Sequence, residues 1–254
     1  MNAKWKYLLV FLLTGWGVAH VSVFFSNGSR NPSASSNEWV ILLHGLGRTR
    51  FSMNPMARYL ADKGYQTVNV SYPSTKKSIE SIVEEHLVPA VAGCGEKGAR
   101  KIHFVTHSMG GIVLRCYLER HNLPEGSRAV MLSPPNQGSE LADFLKENVL
   151  FWWLLGPAAQ QIGTGPDSLP NRMDASPGID VGIIMGDTGI PSIFGAIFPG
   201  PNDGKVSVER AKLAGMKAFK RIPCGHTFIM NRKDVMAAAD QFLRRGTFSS
   251  MTTM

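Results

Sequence analysis

The feature that most constrains the fold is a regular alternation of short apolar runs with helical patterns, which begins at Trp39. Each run is a few residues long, and most are continuous in apolar residues rather than alternating with polar ones. Continuous runs are typical of parallel strands that are covered on both faces. The predicted strands are 39–43, 67–71, 101–106, 129–133, 181–185 and 218–222.

Between these predicted strands, apolar residues recur at the spacing of an α-helix. The predicted helices are 55–63, 78–91, 110–121 and 233–245, and Gly64 is expected to end the first of them. This alternation predicts an α/β fold, with a mostly parallel sheet, right-handed crossovers and helices on both faces. The pattern alone does not separate such a protein from a nucleotide-binding one.

One segment, residues 139–173, is far longer than a usual crossover between two strands. It is rich in apolar residues and carries the aromatic run Phe151-Trp152-Trp153. Two interpretations stay open. The segment is either a set of helices packed on the core or a lid-like insertion that lines an apolar ligand site.

The N-terminus has the pattern of an export signal, because Lys4 and Lys6 precede an apolar stretch, residues 7–25, without Lys, Arg or acid. Residues 1–25 are therefore expected to be a signal peptide or an N-terminal membrane anchor, with a buried strand or helix as the alternative. Gly17-Val18-Ala19 offers a cleavage site. We expect a periplasmic, membrane-anchored or secreted bacterial protein, with a linker at 26–37 and one domain at 38–254.

The chain of 254 residues has a formal net charge of +8, but its Lys and Arg residues are scattered. No nucleic-acid-binding motif accompanies them, so we expect no nucleic-acid partner. Cys94, Cys116 and Cys224 form neither a metal pattern nor a disulfide framework, although Cys94 and Cys224 are candidates for a pair in an exported protein. We expect no metal and no organic cofactor.

The strongest chemical signal is the run from Thr106 to Gly111, Thr-His-Ser-Met-Gly-Gly, between a predicted strand and a predicted helix. A sharp strand-to-helix turn of this kind lifts the hydroxyl of one serine out of the sheet, so Ser108 is the candidate nucleophile. A small residue is needed two positions away on each side, and Gly110 meets this requirement. Thr106 departs from it, because glycine is usual there.

The end of the first strong strand, His44-Gly45-Leu46-Gly47, supports the same chemistry. Acyl transfer develops negative charge on the former carbonyl oxygen, which preorganised N–H donors stabilise. The backbone amides of Leu46 and Met109 lie in suitable places for this oxyanion hole, although a plain turn after the strand is the alternative.

A general base and its acid are expected late in the chain, in the order nucleophile, acid, histidine. His226 follows the last predicted strand and is the candidate base. Asp187 and Asp203 both follow the preceding strand. We prefer Asp203, because the turn-forming Asn-Asp-Gly presents its carboxylate well, and keep Asp187 as the alternative.

Taken in order, these motifs resemble the bacterial lipase/esterase branch of the α/β-hydrolase superfamily over roughly residues 38–245. The segment Leu132 to Ser139 is similar to the one that follows the sixth strand in lipases, and Tyr72-Pro73-Ser74 also fits. The resemblance implies a catalytic triad of Ser108, Asp203 and His226.

The function expected from this resemblance is hydrolysis of carboxylic esters by an esterase or lipase, on a small-molecule or lipid substrate and without cofactor. An acyltransferase, thioesterase or amidase on the same triad is one alternative. A membrane-tethered binding protein that keeps the fold without turnover is another. Membrane association through the N-terminal segment is also open.

Overall fold

The computed structural model describes residues 24–26, 37–146, 149–176, 178–189 and 197–248, with the backbone alone for 24–26 and 149–153. The described residues form one seven-stranded sheet in the order β1-β3-β2-β4-β5-β6-β7. The strands are β1 (Phe24–Ser26), β2 (Glu38–Leu43), β3 (Gln66–Asn69), β4 (Lys101–His107), β5 (Arg128–Leu132), β6 (Asp180–Gly186) and β7 (Ala218–Ile222). Strand β1 is antiparallel to β3, and the other neighbouring strands are parallel.

Helices cover both faces of this sheet. They are α1 (Asn54–Asp62), α2 (Ile79–Ile82), α3 (Val88–Glu96), α4 (Met109–Leu118), α5 (Glu140–Lys146), α6 (Val149–Gln161), α7 (Leu169–Arg172), α8 (Val208–Ala211) and α9 (Lys233–Arg245). A π-helical turn, Val83–Leu87, joins α2 to α3, and two 3-10 helices span Arg50–Met53 and His226–Asn231.

Strand β2 shows why its run is continuous in apolar residues. Ile41 and Leu43 are buried in the core layer under α2, α3 and α4, whereas Val40 and Leu42 are buried in the opposite layer under α1 and α9. Successive side chains of a strand point to opposite faces, so a strand covered on both sides needs apolar residues at every position.

Helix α9 shows how the sequence closes the domain. Val235 and Phe242 belong to its buried face. The helix ends at Gly246, whose φ of +71° is the left-handed conformation that glycine adopts without a steric penalty. The amide of Gly246 donates to the carbonyl of Phe242 at 2.7 Å, which satisfies a terminal carbonyl of the helix.

The predicted α/β fold is confirmed, with the six predicted strands and four predicted helices present and their bounds shifted by a few residues. The seventh strand was not predicted. We assigned Phe24 and Phe25 to the export segment and Ser26 to the linker, whereas these three residues pair with Thr67, Val68 and Asn69 of β3. Within the described residues, no helix is long and apolar enough to cross a membrane.

The suggested pairing of Cys94 with Cys224 is wrong. Cys94 is buried in the same core layer as Ile41, whereas Cys224 packs against the opposite layer. The sheet therefore separates the two thiols, and all three cysteines are free. Cys116 is partly buried on α4, and burial raises the pKa of its thiol to about 11.

The 139–173 segment is a helical insertion between β5 and β6 that comprises α5, α6 and α7. Its second half packs on the core, since Ile162, Leu169 and Met173 are buried in the Ile41 layer. Helix α6 is kinked at Gly156, where φ is +73° and a side chain would collide with the carbonyl of Thr75. The side chains of Phe151-Trp152-Trp153 lie outside the described residues, so a mobile lid stays a prediction.

Candidate active site

Ser108 lies between the last residue of β4 and the first residue of α4, at the edge of the sheet where the parallel strands end. Its φ of 53° and ψ of −125° are unusual for a residue with a side chain and mark a sharp, strained turn. The amide of Ser108 donates to the carbonyl of Leu132 at 2.9 Å, which anchors the turn to β5.

The turn is possible because two glycines leave room for it. A Cβ atom on Gly110 would lie 2.7 Å from the carbonyl oxygen of Leu43, and a Cβ atom on Gly45 would lie 3.1 Å from the Cβ of Ser108. The first distance excludes a side chain at Gly110, and the second leaves little room for one at Gly45. Gly110 therefore allows α4 to start against the end of β2, as the sequence motif predicts.

Thr106, the departure from the usual motif, is fully buried in β4. Space for its side chain exists on the side of Gly111, where a Cβ atom would lie 3.4 Å from Thr106 Oγ1 and 3.1 Å from Pro134 Cβ. A Cβ atom on Gly111 would therefore be crowded against Pro134 and would only touch Thr106.

Leu46 and Met109, the candidates for the oxyanion hole, belong to two segments that meet at Ser108. Met109 is the first residue of α4, and the amides of a first helical turn have no acceptor within the helix. Leu46 lies in the turn after β2, which is held by a bond of 3.1 Å from the amide of Gly47 to Ser74 Oγ. The close approach of Gly45 to Ser108 places this turn beside the nucleophile candidate.

His44 stabilises the base of the same turn. Its ring stacks on Tyr72 with 3.9 Å between ring centres, and the Tyr72 hydroxyl donates to the carbonyl of His44. His44 Nδ1 lies 2.9 Å from the carbonyl of Gly45 and donates to it. Burial lowers the pKa of His44 to about 4, so the ring is neutral at pH 7.

His226 begins the 3-10 helix that follows β7, and its imidazole is paired with Asp203. The distance from His226 Nδ1 to Asp203 Oδ2 is 2.7 Å, and both side chains are almost completely buried. A backbone bond of 2.9 Å from the amide of His226 to the carbonyl of Asp203 joins the same two residues. With Nδ1 held by the carboxylate, Nε2 is the nitrogen left for proton transfer.

The other oxygen of Asp203 is held by the loop that the Asn-Asp-Gly sequence forms. Oδ1 accepts from the amides of Lys205 at 3.0 Å and Val206 at 2.9 Å. Burial alone opposes ionisation of this carboxyl. The charge of His226 and the hydrogen bonds from His226, Ser133 and Val206 outweigh burial, and hold the pKa of Asp203 below its usual value.

Asp187, the alternative acid, has a different partner. Its Oδ2 lies 2.9 Å from Nη2 and 3.0 Å from Nε of Arg221, a residue of β7. The two side chains form an exposed ion pair. The geometry therefore pairs His226 with the preferred candidate, Asp203.

Two residues of the site were missed by the sequence analysis. Ser133 is buried directly after β5 with a φ of 48°, and its hydroxyl lies 3.4 Å from the amide of Gly186 and helps to lower the pKa of Asp203. The segment around Ser133 was noted for its similarity to lipases, but nothing in it indicated this contact.

His107 is the second missed residue. Its Nε2 lies 3.0 Å from the carbonyl of His226 and donates to it, and the two rings are 4.8 Å apart. Burial and the nearby His226 lower the pKa of His107 well below its usual value, so it is a neutral support for His226. Its place next to Ser108 was the only available signal.

A family model described as the alpha/beta hydrolase family matches residues 40–245. The chain belongs to this family. The order of the site segments, with a serine after β4, an aspartate after β6 and a histidine after β7, is the order Ser-Asp-His that the fold uses. No curated protein sequence matches the hydrolase significantly.

Solved structures of similar fold include three from Bacillus licheniformis, Legionella pneumophila and Pyrococcus furiosus. The mature form of the Bacillus licheniformis lipase BlEst2 has a TM-score of 0.67 at 21% identity, over 89% of the hydrolase and 98% of that chain. Phospholipase PlaB from Legionella pneumophila has a TM-score of 0.61 at 18% identity, over 84% and 57%. The Pyrococcus furiosus esterase Pf2001 has a TM-score of 0.56 at 16% identity, over 83% of each chain.

At these identities the likeness shows the fold of the hydrolase and no more. Among the described residues, no group of three or more His, Cys, Asp or Glu side chains is arranged to hold a metal ion.

Proposed function

We propose that this hydrolase cleaves carboxylic esters as a lipase or esterase, with Ser108 as nucleophile, His226 as general base and Asp203 as the acid that orients the histidine. The observation that carries the proposal is the 2.7 Å bond between His226 and Asp203 at the sheet edge where the strained Ser108 lies. The names of the similar structures, two esterases or lipases and one phospholipase, agree with esters as the substrate class.

The proposed reaction has two steps. His226 Nε2 takes the proton of Ser108 Oγ as that oxygen attacks the ester carbonyl, and the amides of Leu46 and Met109 stabilise the oxyanion. His226 then protonates the leaving alcohol, which departs and leaves Ser108 acylated. Water attacks the acyl-enzyme with His226 again as base, and the carboxylic acid is released while Ser108 regains its proton. Asp203 holds the His226 tautomer and stabilises the imidazolium in both steps.

Fluorophosphonate labelling of the full chain tests the nucleophile. The parent protein is expected to be labelled, and Ser108→Ala to lose the label together with hydrolysis of p-nitrophenyl acetate, octanoate and palmitate. The exposed Ser176→Ala is the matched control and is expected to behave like the parent. A labelled Ser108→Ala protein, or an unlabelled parent, would refute the assignment. The chain-length preference of the parent separates a lipase from an esterase of short esters.

The N-terminus is proposed to be a cleaved export signal. Lys4 and Lys6 with the apolar stretch that follows support export. The pairing of Phe24–Ser26 with β3 favours cleavage after Ala19 over a membrane anchor that reaches Phe25, because the strand needs those residues in the sheet. The mass of the protein recovered from the periplasm or medium of an expressing bacterium tests this: a mature chain that begins at His20 is expected, and an uncut chain in the membrane contradicts it.

A further inference from the structure

Two phenylalanines are unusually exposed for large apolar side chains. Phe51 and Phe228 are each 64% exposed, and Phe144, the other exposed large apolar residue among those described, is 42% exposed. Phe51 lies on the 3-10 helix Arg50–Met53, which follows the turn at Leu46. Phe228 lies on the 3-10 helix His226–Asn231, two residues after the candidate base. The two 3-10 helices contact each other, so the two exposed phenylalanines lie on neighbouring segments beside the site.

Each ring has an arginine against its face. The guanidinium of Arg48 lies 5.6 Å from the centre of the Phe228 ring, and that of Arg50 lies 5.1 Å from the centre of the Phe51 ring. Arg48 also donates from Nη2 to the carbonyl of Thr227 at 2.8 Å, which ties the two segments together. We call these four residues, Arg48, Arg50, Phe51 and Phe228, the Phe51/Phe228 surface.

Charge on these two segments has a single sign. Residues 44–61 and 223–233 contain no Asp or Glu, but carry Arg48, Arg50, Arg58, Arg232 and Lys233. Arg232 is paired with Asp234, the residue that follows the second segment, and Arg48 is bonded to the carbonyl of Thr227. Each ring thus has a cation against its face, in two segments that carry only positive charge.

We propose that the Phe51/Phe228 surface docks the hydrolase on an anionic lipid bilayer. Phenylalanine rings insert at the boundary between lipid headgroups and acyl chains, and arginines beside them bind lipid phosphates. A single exposed phenylalanine needs no explanation, but two rings, each with its own cation, at the edge of the candidate site do. Docking through this surface turns the edge of the sheet that carries Ser108 toward the membrane.

Vesicle sedimentation with the full chain tests the proposal without any use of activity. Every protein carries Ser108→Ala, so lipids are not hydrolysed, and the vesicles are phosphatidylcholine alone or with 30% phosphatidylglycerol. The N-terminal segment is the same in all variants, so a difference in binding between a variant and the parent reports the change at the surface, and the ratio of binding to anionic and to neutral vesicles reports its dependence on lipid charge. Circular dichroism checks that each variant is folded.

Arg48→Gln with Arg50→Gln is expected to lower that ratio by roughly tenfold or more, because each arginine near an anionic surface contributes severalfold to binding. Phe51→Ser with Phe228→Ser is expected to weaken binding to both kinds of vesicle by about tenfold, because ring burial does not depend on lipid charge. High salt is expected to abolish the effect of the arginines and to leave that of the rings.

The matched controls lie elsewhere on the molecule. Arg100 and Arg120 are exposed, before β4 and after α4, at the opposite edge of the sheet, so Arg100→Gln with Arg120→Gln removes the same charge. Phe144→Ser removes an exposed ring from α5. Equal losses in the controls and the test variants, or unchanged binding in all of them, overturn the proposal. Self-association that is lost with Phe51 and Phe228, without any change in vesicle binding, would make the surface an interface between copies. The proposed function is tested separately, by fluorophosphonate labelling of the protein with Ser108 intact. The outcome of the vesicle experiment does not bear on that test.

Discussion

Backbone strain marks two serines at the ends of neighbouring strands. Among the described residues, only Ser108 and Ser133 combine a side chain with a positive φ, at 53° and 48°. One follows β4 and the other follows β5, and both contribute hydroxyls to the same edge of the sheet. Such conformations cost free energy, about 1–3 kcal/mol each, and persist where the surrounding structure holds them. The two strained serines lie at the same edge of the sheet as Asp203 and His226. This combination distinguishes the edge from the other loops.

Asp203→Asn is expected to leave the hydrolase folded and to lower kcat/KM by about three to four orders of magnitude. An amide in place of the carboxylate disturbs the His226 tautomer and no longer stabilises the imidazolium. Hydrolysis of p-nitrophenyl esters measures the loss, and circular dichroism checks the fold.

The same exchange at Asp187 is the matched control. Asp187→Asn breaks an exposed ion pair with Arg221, which contributes about 0–1 kcal/mol to stability, and is expected to change kcat/KM by less than about threefold. If Asp187→Asn were the more damaging variant, our choice of acid would be wrong.

Ser133→Ala is expected to shift the acid limb of the kcat/KM profile, which reports protonation of the coupled Asp203–His226 pair, to higher pH. The Ser133 hydroxyl is one of the groups that hold the pKa of Asp203 low, so its removal raises that pKa. A carboxyl with a lowered pKa contributes stability that is lost as pH falls through its folded value, and the variant therefore loses this contribution earlier on acidification.

Ser133→Thr keeps the hydroxyl and is expected to restore the parent profile in part, because the position is crowded. A role in packing alone would lower kcat equally at all pH values and leave the limb where it is, and this result would contradict a positioning role for Ser133.

At the scale of helices and strands, the sequence predicts what depends on local pattern. Apolar runs indicated six of the described strands, and most of these runs are continuous because burial on both faces requires it, whereas β7 is mostly half-buried. Gly64 ends its helix with a φ of +96° as expected. Strand β1 could not be found in this way. It has three residues and pairs through its backbone to β3, so its side chains carry no pattern.

The residues of the candidate site also fall into those that a local motif predicts and those that it does not. Ser108, Asp203 and His226 stand in motifs with fixed local geometry, so they could be named from sequence. Ser133 and His107 act through contacts across the sheet edge, 70 and 119 residues away in the chain for Asp203 and His226, and no local signal reports such a contact.

The side chain of Gln161 links the helical insertion to α2 through two hydrogen bonds. Gln161 Oε1 accepts from the amide of Ile79 at 2.8 Å, and its Nε2 donates to Glu80 Oε2 at 2.6 Å. Gln161→Ala leaves the Ile79 amide unpaired and is expected to cost about 1–2 kcal/mol of stability. It is also expected to raise hydrogen exchange across 149–172 without a change in the strands.

Gln160→Ala, one residue earlier on α6, is the matched control and is expected to have little effect. If the insertion acts as an acyl-binding wall, Gln161→Ala should also weaken hydrolysis of the palmitate ester more than that of the acetate ester. Unchanged exchange in the insertion would mean that packing of Ile162 and Leu169 on the core holds it without the glutamine.

The whole molecule buries several histidines, and this determines how its stability depends on pH. Burial lowers the pKa of His44 to about 4 and that of His103 to about 4, and holds the pKa of His107 well below its usual value. These rings are neutral in the folded protein, whereas in the unfolded chain they take up a proton near pH 6.5. Between pH 6.5 and 4 the unfolded chain therefore binds more protons, and stability falls as pH falls.

Between pH 7 and pH 5, each of His44 and His103 is expected to remove about 2 kcal/mol from the free energy of unfolding, or about 4 kcal/mol together, measured by urea denaturation. Asp203 does not produce this loss, because its lowered pKa confines its contribution to more acidic solutions. His103→Gln provides the decisive comparison, since His103 lies in β4, where its Nδ1 accepts from the Arg128 amide at 3.0 Å, away from the Ser108 turn. This variant is expected to be less stable at pH 7 but to lose about 2 kcal/mol less on going to pH 5.

The same exchange at His121, which is not buried, should leave the parent slope. An equal slope in parent and His103→Gln would mean that His103 is already charged in the folded protein, with Glu38, 3.6 Å from its Nε2, as its partner.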